Sequence, residues 1–124
     1  DNLRATSLNK AAADDYFSLA DIAYKRAIEL KPDYADAYFN LGVMHFNRGA
    51  EMANAANMLK SQSEYEKAKL KFEDVFKAAK PYLEKSLELN PKDYNTLFTL
   101  KQLYVRTGET EKYNAVEKTL DSLK

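Results

Sequence analysis

Few side chains in this 124-residue chain are equipped for chemistry: it holds one histidine and no cysteine, and its 19 Asp+Glu are balanced by 19 Lys+Arg. His45 is the sole imidazole, so a zinc site or a histidine base would have to be completed by carboxylates. A di-metal carboxylate centre wants Glu-x-x-His turned inward on paired helices, yet the residue three before His45 is Gly42. The expectation is a packed or half-buried histidine, hydrogen-bonded inside a helix pair. Asp14, Asp15 and Asp21 cluster, as do Glu64, Glu66 and Glu73. On helices their spacing suits solvent faces and caps rather than a paired general acid and base. Gly42, Gly49 and Gly108 are isolated, so no glycine-rich loop can cradle a phosphate. Without cysteine there is no thiolate nucleophile, thiolate metal site or disulfide. No catalytic residue, metal site or cofactor is expected.

The densest basic run is Lys67, Lys69 and Lys71, with Lys77, Lys80 and Lys85 beyond. Alternation by two on a helix spreads these charges around its circumference, and Glu64, Glu66, Glu73 and Asp74 dilute them. The run is therefore a solvated face. With a net charge of zero, affinity for nucleic acid through phosphate neutralisation is not expected. No apolar run approaches the 18 or so residues of a membrane span, so no membrane insertion is expected. The first residue is Asp1 rather than Met, which suggests a trimmed chain. An apolar share of 45% in a chain of this length closes one core, and the whole chain, 1–124, is expected to form a single domain.

Positioning falls to repeated helices. Ala27-Ile28-Glu29-Leu30-Lys31-Pro32 recurs as Ser86-Leu87-Glu88-Leu89-Asn90-Pro91, and Phe39, Leu41 and Gly49 after the first proline align with Phe98, Leu100 and Gly108 after the second. A helix-turn-helix unit of about 34 residues fits between the prolines with roughly 25 residues to spare. Ala20-x3-Tyr24-x2-Ala27-x4-Pro32, Tyr38-x2-Leu41-Gly42-x2-His45 and Ala79-x3-Leu83-x2-Ser86-x4-Pro91 alternate second-helix and first-helix patterns, and Leu97-x2-Leu100-Lys101-x2-Tyr104 opens a weaker unit. In these patterns the chain resembles the tetratricopeptide repeat (TPR) family, over about four fifths of its length. The resemblance implies an all-α superhelix of antiparallel helix pairs. Residues 1–33 would be a partial first repeat, 34–92 a repeat carrying an inserted helical arm at about 50–75, and 93–124 a terminal capping repeat. Lys101 departs from the family's small residue, so its stem must lie along a neighbouring helix.

Periodicity predicts a helix over about 8–30, with apolar Ala13, Phe17, Ala20, Tyr24 and Ala27; it either runs through or restarts at a cap on Asp14 and Asp15. A turn at Lys31-Pro32-Asp33 precedes a helix from about Ala35 that continues past Gly49. Ser61-Gln62-Ser63 then breaks the pattern, and Ser61 with Glu64, or Ser63 with Glu66, has the form of a capping box. The next helix, about 64–89, offers Tyr65, Phe72, Val75, Phe76 and Ala79 for packing and an i,i+4 pair Glu73 to Lys77. It contains Pro81, which predicts a kink or local break near 77–80. Met52 and Met58 are expected to seal one arm helix against the other. A last helix, about 109–123, carries one apolar stripe at Tyr113, Val116, Leu120 and Leu123.

The resemblance also implies the function, a non-catalytic protein–protein interaction module that binds a peptide or partner protein in the concave groove lined by first helices. The inward positions it implies are Phe39, Asn40, Val43, Phe46 and Asn47 in one first helix. In the next they are Asn95, Phe98, Gln102, Val105 and Arg106. Phe39 and Phe98 would be apolar anchors, Asn40 and Gln102 would bond a peptide backbone, and Arg106 would meet a carboxylate. The alternative is that some of these residues pack on neighbouring helices. The family's clamp for the acidic tails of heat-shock chaperones is excluded: Asn9 and Asn40 match it, but Ala5, Asn95 and Thr99 stand where it needs Lys, Lys and Arg. The rival reading is an architectural or self-associating scaffold segment of a longer repeat protein, using the arm or an exposed N-terminal edge. The Pro-Lys-Asp-Tyr-Asn-Thr-Leu turn and the long insert are similar to bacterial TPR proteins, many of them exported, which implies a bacterial, periplasmic or exported location with the signal segment removed.

Overall fold

The computed structural model describes the backbone of residues 2–124 and the side chains of residues 12–124. Ala5 and Asn9, weighed for the clamp, lie outside the described side chains. Five helices follow one another: α1 (Asn2–Leu30), α2 (Ala35–Ala56), α3 (Gln62–Leu89), α4 (Tyr94–Thr107) and α5 (Thr110–Ser122). No strand occurs among the described residues. α1 packs on α2, α2 on α3, α3 on α4 and α4 on α5, with a lighter touch between α2 and α4. The all-α, TPR-like stack of antiparallel pairs expected from the sequence is the architecture found.

Local chemistry sets the boundaries. α1 runs unbroken through Asp14 and Asp15 and ends before Pro32, whose ring and missing N–H favour termination there. The Ser61 hydroxyl accepts from the Glu64 N–H at 3.3 Å and starts α3, so the first of the two candidate caps is the one used. Asp93 caps α4, accepting from the Thr96 N–H at 3.0 Å and the Thr96 hydroxyl at 2.7 Å. α4 stops at Gly108, whose φ of 70° lies in the left-handed region that glycine adopts without a Cβ penalty. Pro81 does not break α3, which remains one helix of 28 residues. Pro81 and Lys77 are both exposed, so water can serve the Lys77 carbonyl that loses its donor.

The core lies where α2, α3, α4 and α5 meet. Phe76, Ala79, Leu83, Leu97, Leu100 and Leu103 are its most buried members, closed by Tyr104, Val116 and Leu120. Two glycines bring α2 against α3. A Cβ on Gly42 would stand 2.5 Å from Leu83 Cγ, and one on Gly49 2.9 Å from the Phe76 ring. The glycine in the middle of α2, a poor helix former, is thus fixed by the ring that rests on it. Ser86 is buried but satisfied, donating to the Ala35 carbonyl at 3.2 Å and lying 3.4 Å from the Thr96 hydroxyl.

Several expectations need correction. Met58 does not seal the arm: it sits in the turn after α2 and is 82% exposed, while Met52 is half-buried. Glu73 pairs backward with Lys69, at 4.0 Å, and not forward with Lys77. Asp21 leaves the solvent face expected of it and enters an interface. Leu123 follows the last turn of α5 and stays exposed. Lys101 behaves as its stem requires, lying half-buried with Nζ 5.7 Å from the centre of the Tyr113 ring.

Candidate functional site

α4 alternates buried and exposed positions. Thr96, Leu97, Leu100, Leu103 and Tyr104 enter the core, which leaves Tyr94, Asn95, Phe98, Gln102, Val105 and Arg106 exposed. Tyr94 and Phe98, one helical turn apart, stack with ring centres 6.0 Å apart and planes 12° from parallel. Both rings remain largely accessible, as does Val105. An apolar stripe edged by an amide and a guanidinium therefore runs along this helix.

α2 contributes less accessible surface. Asn40 and Asn47 are exposed, whereas Phe39, Val43 and Phe46 are half-buried and pack against the core. These three rings and branches serve at least partly as helix packing. The Phe46 and Phe76 ring centres lie 5.6 Å apart, and the Arg106 guanidinium carbon sits over Phe76, 5.2 Å from its ring centre. This cation–π arrangement links α2, α3 and α4. Asn47 lines a cleft of about 330 Å³ between α1 and α2, with Tyr16, Phe17 and Met44. Arg106 instead lines one of about 250 Å³ beside Glu73, Phe76 and Lys77. Asn47 and Arg106 thus face different clefts. Tyr94 escaped the sequence reading, although its place one turn before Phe98 on the same helix was a usable signal.

A second polar cluster joins α1 to its neighbours around His45. Its Nε2 lies 3.1 Å from Asp21 Oδ1, and because a carboxylate only accepts, Nε2 carries the proton. Asp21 also holds Lys25 at 2.9 Å. Burial alone would raise the Asp21 carboxyl, but the hydrogen bonds from Lys25 and His45 outweigh it and hold it below its ordinary value. The His45 ring stacks on Tyr82 at 5.7 Å and meets the edge of Phe17 at 5.1 Å. Arg48 lies over Phe17, its guanidinium carbon 4.4 Å from the ring centre, and pairs with Asp14 at 3.3 Å. Every member has a partner, and the cluster fastens helices. The half-buried, hydrogen-bonded histidine expected from the sequence is what is found.

A third network ties α3 to α5. Lys80 and the Thr107 hydroxyl donate to Glu109 at 2.8 and 2.7 Å and hold its carboxyl below the ordinary range. Burial, with the nearby Glu84 charge, pushes the Tyr104 phenol well above its ordinary value. Among the described residues no group of three or more His, Asp or Glu side chains is placed to hold a metal. Among them, too, no helix is long and apolar enough to cross a membrane.

Residues 23–49, from the later turns of α1 through most of α2, match the family model of the TPR repeat. The match bears out the resemblance carried by Tyr24, Ala27, Pro32, Leu41 and Gly42. TPR repeats are typically non-catalytic units of protein–protein interaction. No curated protein matches the chain.

Proposed function

With a TPR repeat over residues 23–49 as the premise, we propose that the chain is a non-catalytic protein-interaction module that takes an extended peptide or a partner helix along the face shared by α2 and α4. The observation that supports this is the exposed stripe of Tyr94, Phe98 and Val105 on a helix whose opposite side is wholly buried. Stacked aromatic rings offer large apolar area at little entropic cost, which is what an interface anchor needs. Gln102, with Asn40 and Asn47 across on α2, supplies donors and acceptors for a peptide backbone, and Arg106 supplies a fork for a carboxylate. Phe39, Val43 and Phe46 form the floor of this face. α2 and α3, at 22 and 28 residues against 14 and 13 for α4 and α5, extend the repeat into a long hairpin, the inserted arm of this reading. An exported bacterial setting belongs to the same proposal.

The test compares partner capture by the wild-type chain with capture by Phe98→Asp and by Leu70→Asp, each verified as folded by circular dichroism. Phe98 and Leu70 are both exposed, so neither change disturbs the core. A partner lost with Phe98→Asp and kept with Leu70→Asp supports recognition on the α2–α4 face. Loss with Leu70→Asp alone moves recognition to the hairpin. Phe39→Asp is a poor probe, because its half-buried ring packs against the core.

A further inference from the structure

Where the last turn of α4 meets α3, Glu73, Phe76, Lys77, Arg106 and Thr107 line the cleft of about 250 Å³. That volume is below the range of sites that enclose drug-sized molecules and suits a single side chain. Its wall brings together two cations from different helices, Lys77 and Arg106, both exposed and neither in an ion pair among the described residues. The acidic groups nearby have other partners. Glu73 faces Lys69 at 4.0 Å, and Glu109 accepts from Lys80 at 2.8 Å and from the Thr107 hydroxyl at 2.7 Å. With two cations against the one carboxylate of Glu73, the wall keeps an excess of positive charge in a chain whose net charge is zero.

Arg106 is held in place without a ligand. Its guanidinium carbon lies 5.2 Å from the centre of the Phe76 ring, and that ring is buried and rests on Gly49. A guanidinium resting on an aromatic face can still present its N–H fork to a carboxylate. A fork positioned in advance gives up less freedom when it binds.

We infer that this cleft receives an acidic side chain of the bound peptide, with Lys77 and Arg106 meeting its carboxylate from two helices. The inference rests on recognition along the α2–α4 face and adds to it the chemistry of the partner. Neither cation stands at a position of the chaperone-tail clamp, and Lys77 belongs to α3 rather than to a first helix. Arg106 follows Phe98 by eight residues on α4, about 12 Å along the axis at 1.5 Å per residue. An extended peptide covers that distance in about four residues. The ligand is therefore a linear segment with Asp or Glu about four residues from an apolar anchor.

Selection of random linear peptides from a displayed library, followed by fluorescence anisotropy titration of the enriched sequences, tests this. Peptides bound by the wild-type chain and lost with Phe98→Ala should carry Asp or Glu at the stated distance from an apolar residue. Changing that acid to its amide should weaken binding about tenfold. The same change should have no effect on Arg106→Glu or Lys77→Glu, each verified as folded by circular dichroism. Lys67→Glu, an equal charge change on α3 outside the cleft, should leave the preference for an acid intact. Peptides that need Phe98 but show no preference for an acid overturn the inference and leave the α2–α4 face standing. So does an acid preference that survives both Arg106→Glu and Lys77→Glu. If no enriched peptide depends on Phe98, recognition on that face fails, and the inference falls with it.

Discussion

A methyl group at Gly42 would stand 2.5 Å from Leu83 Cγ and 3.2 Å from the Leu83 backbone nitrogen, and Leu83 has no exposed surface into which to retreat. Alanine gains about 1 kcal/mol of helix propensity over glycine, but overpacking a closed core costs about 1–3 kcal/mol. The backbone atom decides the sign, because it cannot swing aside as a side chain can. Gly42→Ala is expected to lower stability by about 1–2 kcal/mol in denaturant titration. At Asp21 the expected effect is one of pH. Its carboxyl is lowered in the folded state, so its contribution is complete above the unfolded value of about 4 and is lost as pH falls through the folded value. The stability gap between wild type and Asp21→Asn should therefore be full at neutral pH and close below about pH 4. His45 was legible because a lone histidine inside a helical repeat pattern has few other fates. Asp21 was not, since its partner lies 24 residues away on another helix and the pairing leaves no local periodicity.

At the scale of elements, the unbroken course of α3 carries a sharp expectation. Pro81 removes the bond that its N–H would have made to the Lys77 carbonyl, and an exposed alanine there would restore it. Pro81→Ala should raise the unfolding free energy by about 1 kcal/mol, the restored bond outweighing the greater freedom of the unfolded chain. A clear loss in a thermal melt would mean that the proline fixes the start of a separate helix. The existence and order of the helices were readable, because a stop such as Pro32 and a cap such as Ser61 act over three or four residues. Continuity at Pro81 was not. It depends on whether the freed carbonyl meets water or protein, and only the packing decides that.

For the molecule as a whole, helices meet mainly their neighbours in sequence, and the main core draws on α2 to α5 with none of its side chains from the described part of α1. Stability should be graded accordingly. Native-state hydrogen exchange is expected to show α1 amides opening at lower free energy than those of α3 and α4; equal protection across all five helices would refute the gradient. Leu19→Glu, which bares no core, should leave that ordering intact. The repeat architecture was legible from the recurrence of Ala27–Pro32 as Ser86–Pro91. The division of the α2 face into half-buried and exposed positions was not, because Phe39, Val43 and Phe46 share their spacing with Asn40 and Asn47 and differ only in depth.

The two glycine contacts on α2 have a mechanical corollary. Leu83 and Phe76 sit in shallow sockets two turns apart along one helix, at Gly42 and Gly49, so α2 and α3 cannot slide along each other without lifting both side chains over flanking backbone. A force along the helix axes would load both sockets at once, and the hairpin should resist it as a keyed joint does. A force pulling α1 sideways meets only one edge at a time, where the His45–Asp21 and Arg48–Asp14 contacts would give way in turn. A partner tugging on α1 would therefore unzip the stack from that end, while one gripping the hairpin lengthwise would drag the whole domain.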